Sequence, residues 1–363
     1  DVINAIIRKD RPLTRMGVFD YFWGETMDNW IADEGYPVDE AGVPMVPEDY
    51  FGLDMIGAGG WVSAMPHLGP GSEELIEETE EWVVKRNGAG AVLKNWKRKA
   101  GTPEHIDFHM TSRSVWDSDY RDAVATFNPA RINIDGTREK LAMRKEQGYW
   151  TYFGLMFVCE MMRCSMGDVC MLESMLLDPA WIDDYCRVYT DMYKACYKQI
   201  FDEAGTPDGI WIYEDLGYRN GLFCSPKVLG SLVVPYYAEM VEFFHSYDVP
   251  VVLHSCGRIT EALPMIVDAG FDALHPMEVK AGVDAFEIAE TYGDTLALIG
   301  GLDVRTLESG DRDLIRSETI AFVEGLKSRG ARYVFGSDHS ISTGVALADL
   351  EYAHAIFREH MTY

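Results

Sequence analysis

No apolar run in this 363-residue chain is long enough to span a membrane, and its first residues do not read as a secretory signal. It also has no internal repeat and no low-complexity tract. Basic residues are scarce, 32 against 59 acidic ones, for a net charge of −27. Such a surface repels nucleic acid and anionic membrane at long range. A polyanionic substrate is also a poor match unless bases cluster locally. Cysteines are few and odd in number: 159, 164, 170, 186, 196, 224 and 256. A chain of this length can bury a sizeable core without a disulfide scaffold, so these read as reduced core residues of a cytoplasmic protein. The chain starts at Asp1 rather than at methionine, which leaves room for residues ahead of it.

What is present is a regular pattern after residue 148. Short apolar segments recur as WTYFGLM (150–156), GIWIYED (209–215), VPVVLHS (249–255), FDALHP (271–276), TLALIGG (295–301) and ARYVFGS (331–337). Helical patterns lie between them. Over 174–204, Trp181, Tyr185, Val188, Met192, Cys196 and Ile200 recur at three- or four-residue spacing behind a DPAW start. SPKVLGSLVVPYYAEMVEFFHSY opens with Ser-Pro, an N-cap followed by the first helical position. Strand–helix alternation with continuously apolar strands implies a parallel sheet covered by helices. The expected fold is a TIM (β/α)8 barrel with an N-terminal extension, ahead of a doubly wound open sheet. Residues 1–148 read as an N-terminal cap packed on the barrel, and 149–363 as its main part, in one structural unit. Within the cap, EEWVVKRNGAGAVLKNW reads as a hairpin around Asn87-Gly88, and GTPEHIDF as a loop.

Five of these six strands end in polar residues. One ends in Tyr213-Glu214-Asp215, another in His254-Ser255-Cys256, another near His275 and Glu278. The remaining two end at Asp303 and at Ser337-Asp338-His339-Ser340. In a parallel barrel these ends share one mouth. VVLHSCGRI places imidazole and thiolate, ligand types that zinc prefers, two residues apart and before a glycine. Positions i and i+2 of a strand share a face. His254, Cys256 and His339 are therefore the expected zinc ligands, with Glu214, Asp215 or Asp338 as a further ligand or support. Glu214, Asp215 and Asp303 are the candidate catalytic carboxylates. Tyr21, Trp23 and Tyr213 are candidate substrate-binding residues. The aromatic segment Phe19, Tyr21, Phe22, Trp23 and Trp30 either walls a pocket or packs in the core. The spacing of Cys159, Cys164 and Cys170 fits no regular metal pattern. Their Met-rich stretch reads as core or as a cavity wall.

SPKVLGSLVVPYYAEMVEFFHSYDVPVVLHSCGRITEALPMIVDAGFDALHPME, LALIGGLDVRTLESGD and the closing YVFGSDHSISTGVALADLEYAHAIF resemble the uroporphyrinogen decarboxylase superfamily. The resemblance covers about residues 150–360 and implies a TIM barrel. That superfamily holds cofactor-free decarboxylases and zinc-dependent methyltransferases that work with a corrinoid protein. The methyltransferases resemble this chain in their His-x-Cys…Cys zinc pattern. Here His254 and Cys256 match, but this sequence departs at the late cysteine, whose position falls at or beside His339, so that histidine or aspartate replaces it. True decarboxylases hold their eight-carboxylate substrate with an N-terminal arginine-rich run. Arg8, Arg11 and Arg15 are present, but that run is absent. The resemblance thus implies zinc-dependent methyl transfer from a small donor, such as an aryl methyl ether, to the cob(I)alamin of a partner corrinoid protein. Alternatives are a methylcorrinoid:thiol methyltransferase, a metal-free decarboxylase acting through Asp215, and a non-enzymatic binding protein.

Overall fold

The computed structural model describes residues 2–69, 71–97 and 103–363. Eight strands form one all-parallel sheet: β1 Gly17–Val18, β2 Met55–Gly57, β3 Trp150–Met156, β4 Gly209–Tyr213, β5 Val251–His254, β6 Ala273–His275, β7 Ala297–Ile299 and β8 Tyr333–Phe335. Their order is β1-β8-β7-β6-β5-β4-β3-β2. With helices around it, this is the nearly closed TIM barrel that the alternation implied. β1 and β2 share no ladder, and Asp54 joins them instead. Its N–H donates to the Val18 carbonyl at 2.9 Å, and its carboxylate accepts from Val18 N–H at 2.9 Å and from Arg15.

The boundary at residue 148 does not divide cap from barrel. β1 and β2 lie before it, in the irregular part of the chain where no strand–helix alternation frames them. The helix Val2–Ile7 closes the barrel floor: Ile3, Ile6 and Ile7 pack with Phe19, Met55, Trp150, Trp211, Val252 and Val334. The larger core lies between the barrel and its helices. There the helix Pro179–Ala204 buries Trp181, Tyr185, Val188, Met192, Cys196 and Ile200, the predicted face. Asp178 caps it, accepting from Trp181 N–H, and Pro179 opens it. Ser225 caps the helix Pro226–Leu232 in the same way.

The remaining early residues form an antiparallel meander of Glu74–Glu78, Trp82–Arg86, Val92–Trp96 and Glu104–Asp107. Its central hairpin is the one expected, although the turn is longer than Asn87-Gly88 alone. Asn87 accepts from the N–H groups of Ala89 and Ala91 through its side chain. Glu104–Asp107 corrects the loop reading of GTPEHIDF, since it pairs with Val92–Lys94 as an edge strand. Gly101 and Thr102 lie outside the described residues. The meander leans on the helix Val158–Leu177, where Phe108 occupies the space that a Cβ at Gly167 would need.

Candidate metal centre at the barrel mouth

Three neighbouring strands end in one row. His254 on β5 stands opposite Tyr213 on β4 and His275 on β6. Alternation then sets which side chains point inward. Trp211, Val252 and Ala273 belong to the inner core, so Tyr213, His254 and His275, two residues on, face the axis above them. One further step brings Asp215 and Cys256 to the mouth. The ligating atoms of Asp215, His254 and Cys256 all lie within 4.8 Å of one another. His254 Nε2 is 3.6 Å from Cys256 Sγ and 3.7 Å from Asp215 Oδ1.

The backbone holds this group in place. Cys256 N–H donates to Asp215 Oδ1 at 2.8 Å, and Leu216 N–H to Ser255 Oγ at 3.0 Å. Gly257 N–H donates to Glu278 Oε2 at 2.6 Å. Gly257 has φ +80°, and a Cβ there would meet the Gly217 carbonyl, so only glycine lets the chain turn away after Cys256. His254 Nδ1 lies 2.7 Å from His275 Nδ1. Burial pushes the Cys256 thiol well above its ordinary pKa, with Asp215 and Glu278 adding to the shift. Burial lowers His254, against the opposing effect of Asp215 and with that of His339. His275 is pushed well down by burial and by its two histidine neighbours. The centre thus brings an imidazole, a thiol and an aspartate side chain together, with sulfur, nitrogen and oxygen converging. That donor set fits zinc.

A cleft of about 370 Å³ adjoins this group, lined by Trp61, Met156, Glu160, Tyr213, Glu214, Asp215 and His254. Below it the Tyr21 hydroxyl bonds Tyr152 at 2.9 Å and also meets Tyr213. Glu160 is paired with Arg163 at 2.5 Å, yet burial raises it to about 6.

The family model for uroporphyrinogen decarboxylase (URO-D) matches residues 155–360, more than half of the chain. The chain belongs to the uroporphyrinogen decarboxylase family. No curated protein matches it in sequence. A solved structure of a methyltransferase from Methanosarcina mazei has the same fold, with TM-score 0.67 and 17% identity, over 98% of this chain and 97% of that one. An uncharacterized protein (11% identity, TM-score 0.29, 47% of this chain and 48% of that one) and a Xaa-Pro dipeptidase with bound methionine (14%, 0.28, 49% and 43%) overlap too little to inform.

Several site residues expected in this uroporphyrinogen decarboxylase family member stand elsewhere. His339 is not in the converging group, in which Asp215 takes the third place. Its ring stacks on Trp23, with centroids 6.4 Å apart, and Nδ1 faces the Ser340 carbonyl. Trp23 therefore belongs with His339, and Trp61 walls the cleft. Glu214 points outward, as alternation requires. It is fully buried and accepts from Cys159 N–H, Glu160 N–H and the Tyr237 hydroxyl, anchoring the start of the helix Val158–Leu177. Asp303 caps the helix Val304–Glu308 and pairs with Arg305. Asp338 ties loops together through the N–H groups of Val279 and Val304. Phe19 and Trp30 are core. Sequence reasoning missed Trp61, Met156 and Glu160. The first follows a strand in the irregular first part of the chain, and the other two lay in the Met-rich stretch read as core or as a cavity wall, of which the second holds for them.

Proposed function

We propose that the protein transfers a methyl group from a small donor, such as an aryl methyl ether, to the corrinoid of a partner protein. Asp215, His254 and Cys256 would hold a zinc ion for this. The convergence of those three side chains at the barrel mouth carries the reading. Bound there, zinc would supply Lewis acidity to the heteroatom that carries the methyl group. The chain's own residues do the rest. Trp61, Met156 and Tyr213 exclude water and orient an apolar donor. Glu160, raised to about 6 and facing the cleft, is placed to give a proton to the departing heteroatom. The fold shared with the Methanosarcina mazei methyltransferase supports this reading.

The placement of the N-terminal arginines argues against decarboxylation of a polycarboxylate. Arg8 pairs with Asp248 and Arg15 with Asp54, residues that precede strands β5 and β2 at the end opposite the mouth. Arg11 pairs with Asp10. At the cleft itself, Arg163 is held by Glu160 and Asp168.

Elemental analysis of purified protein, paired with methyl transfer to a corrinoid protein, tests the proposal. Cys256→Ser should keep the fold and lose most of the zinc, since zinc selects thiolate over hydroxyl. Methyl transfer should fall with it. Wild-type protein that is metal-free and active would overturn the reading and leave Asp215 as the reacting group at the mouth. Full zinc and activity in Cys256→Ser would overturn the ligand assignment.

A further inference from the structure

We propose that His275 is a positioning residue that sets the tautomer of His254 and so decides whether His254 can ligate a metal. The inference rests on the metal reading of the mouth.

His275 cannot easily move away. Its backbone is locked in the β5–β6 ladder, where its carbonyl accepts from Ser255 N–H at 2.9 Å. Its side chain is buried among aromatic rings. The Trp211 centroid lies at 4.9 Å, Tyr21 at 5.9 Å and Phe19 at 6.1 Å, with interplanar angles of 62°, 74° and 71°. From this box its Nδ1 reaches His254 Nδ1 at 2.7 Å.

Two ring nitrogens at that distance share one hydrogen, and its position has two consequences. If it sits on His254 Nδ1, then His254 Nε2 is a bare lone pair. That lone pair faces Asp215 Oδ1 and Cys256 Sγ, at 3.7 and 3.6 Å. If it sits on His275 Nδ1, neutral His254 must carry its own hydrogen on Nε2. An N–H then points into the ligand group, and no metal can bind there. Metal binding therefore requires His254 to donate and His275 to accept. Partners of ligating histidines fix ring orientation in this way, and their loss commonly weakens metal binding 10- to 100-fold.

The experiment uses zinc alone, with no methyl donor or corrinoid. Zinc affinity is measured by chelator competition for wild type, His275→Phe and His275→Asn, with circular dichroism as the check on folding. Phenylalanine keeps the ring and removes the acceptor. Asparagine returns an acceptor oxygen at the position of Nδ1. Zinc affinity should fall about 10- to 100-fold in His275→Phe and return to within roughly threefold of wild type in His275→Asn. A long-range ¹H–¹⁵N spectrum of zinc-loaded wild type should show His254 metallated at Nε2 and protonated at Nδ1. It decides the matter even if His275→Phe does not fold. Wild-type affinity in a folded His275→Phe, or a wild-type spectrum with His254 metallated at Nδ1, would overturn the role of His275 and leave the metal reading standing. Wild type that takes up no zinc would overturn the metal reading itself.

Discussion

Glu214→Gln puts two opposing effects on one carboxyl group to the test. Glu214 is fully buried, and burial, with the nearby Glu160 adding to it, raises its pKa to about 8 against the pull of its hydrogen-bond donors. Three donors favour the ionised form instead: Cys159 N–H at 3.0 Å, Glu160 N–H at 3.1 Å and the Tyr237 hydroxyl. If burial wins, the folded protein binds a proton that the unfolded chain releases near 4.5, the ordinary value. Between pH 4.5 and 8 the folded state then holds more protons, so its stability falls as pH rises. At about 1.4 kcal/mol per pKa unit, the full loss approaches ~5 kcal/mol. Glutamine does not titrate. It keeps one acceptor oxygen but turns an NH₂ group towards one of the donors, at a pH-independent cost of about 1–3 kcal/mol. Wild type should therefore be the more stable protein at pH 5 and the less stable one above pH 8. Urea midpoints from pH 5 to 9, in chelator to suppress metal-linked protons, measure the crossing. Parallel curves would refute the argument and mean that the three donors keep Glu214 ionised throughout.

Asp20 accepts from Ser337 N–H and Oγ at 2.8 and 2.9 Å and pairs with His354 at 3.1 Å, all buried. Asp20→Ala should cost about 3–5 kcal/mol in urea unfolding, and a loss below about 1 kcal/mol would contradict that role. Gly257→Ala forces a side chain into the left-handed region and against Gly217. It should displace Cys256 and cut zinc affinity at least about tenfold by chelator competition, since ligand geometry must hold to a few tenths of an ångström. Calorimetric titration with an aryl methyl ether should separate the two tryptophans. Trp61→Ala should weaken binding about tenfold, whereas Trp23→Ala, stacked on His339 instead, should change it less than about twofold.

The barrel was legible in the sequence because six of its strands are apolar runs long enough to stand out between helices. β1 and β2 were not: β2 is as long as β6, β7 and β8, but both early strands lie in the irregular first part of the chain, where no alternation of strand and helix patterns frames them. Their place depends on partners far along the chain, such as Val334 opposite Gly17. His-Ser-Cys-Gly was legible for a local reason: period two puts His254 and Cys256 on one face, and glycine permits the turn. The same rule sends Glu214 outward and Asp215 inward, once the inward phase is known from Trp211 and Tyr213. That phase is a property of the closed barrel rather than of the segment. His339 lies beyond the end of β8, where strand geometry no longer directs a side chain. Its loop is steered by Ser337 bonded to Asp20 and by Asp338 bonded to Val279 and Val304. Local sequence therefore determined which residue types crowd the mouth. Long-range hydrogen bonds decided that Asp215, and not His339, stands beside His254 and Cys256.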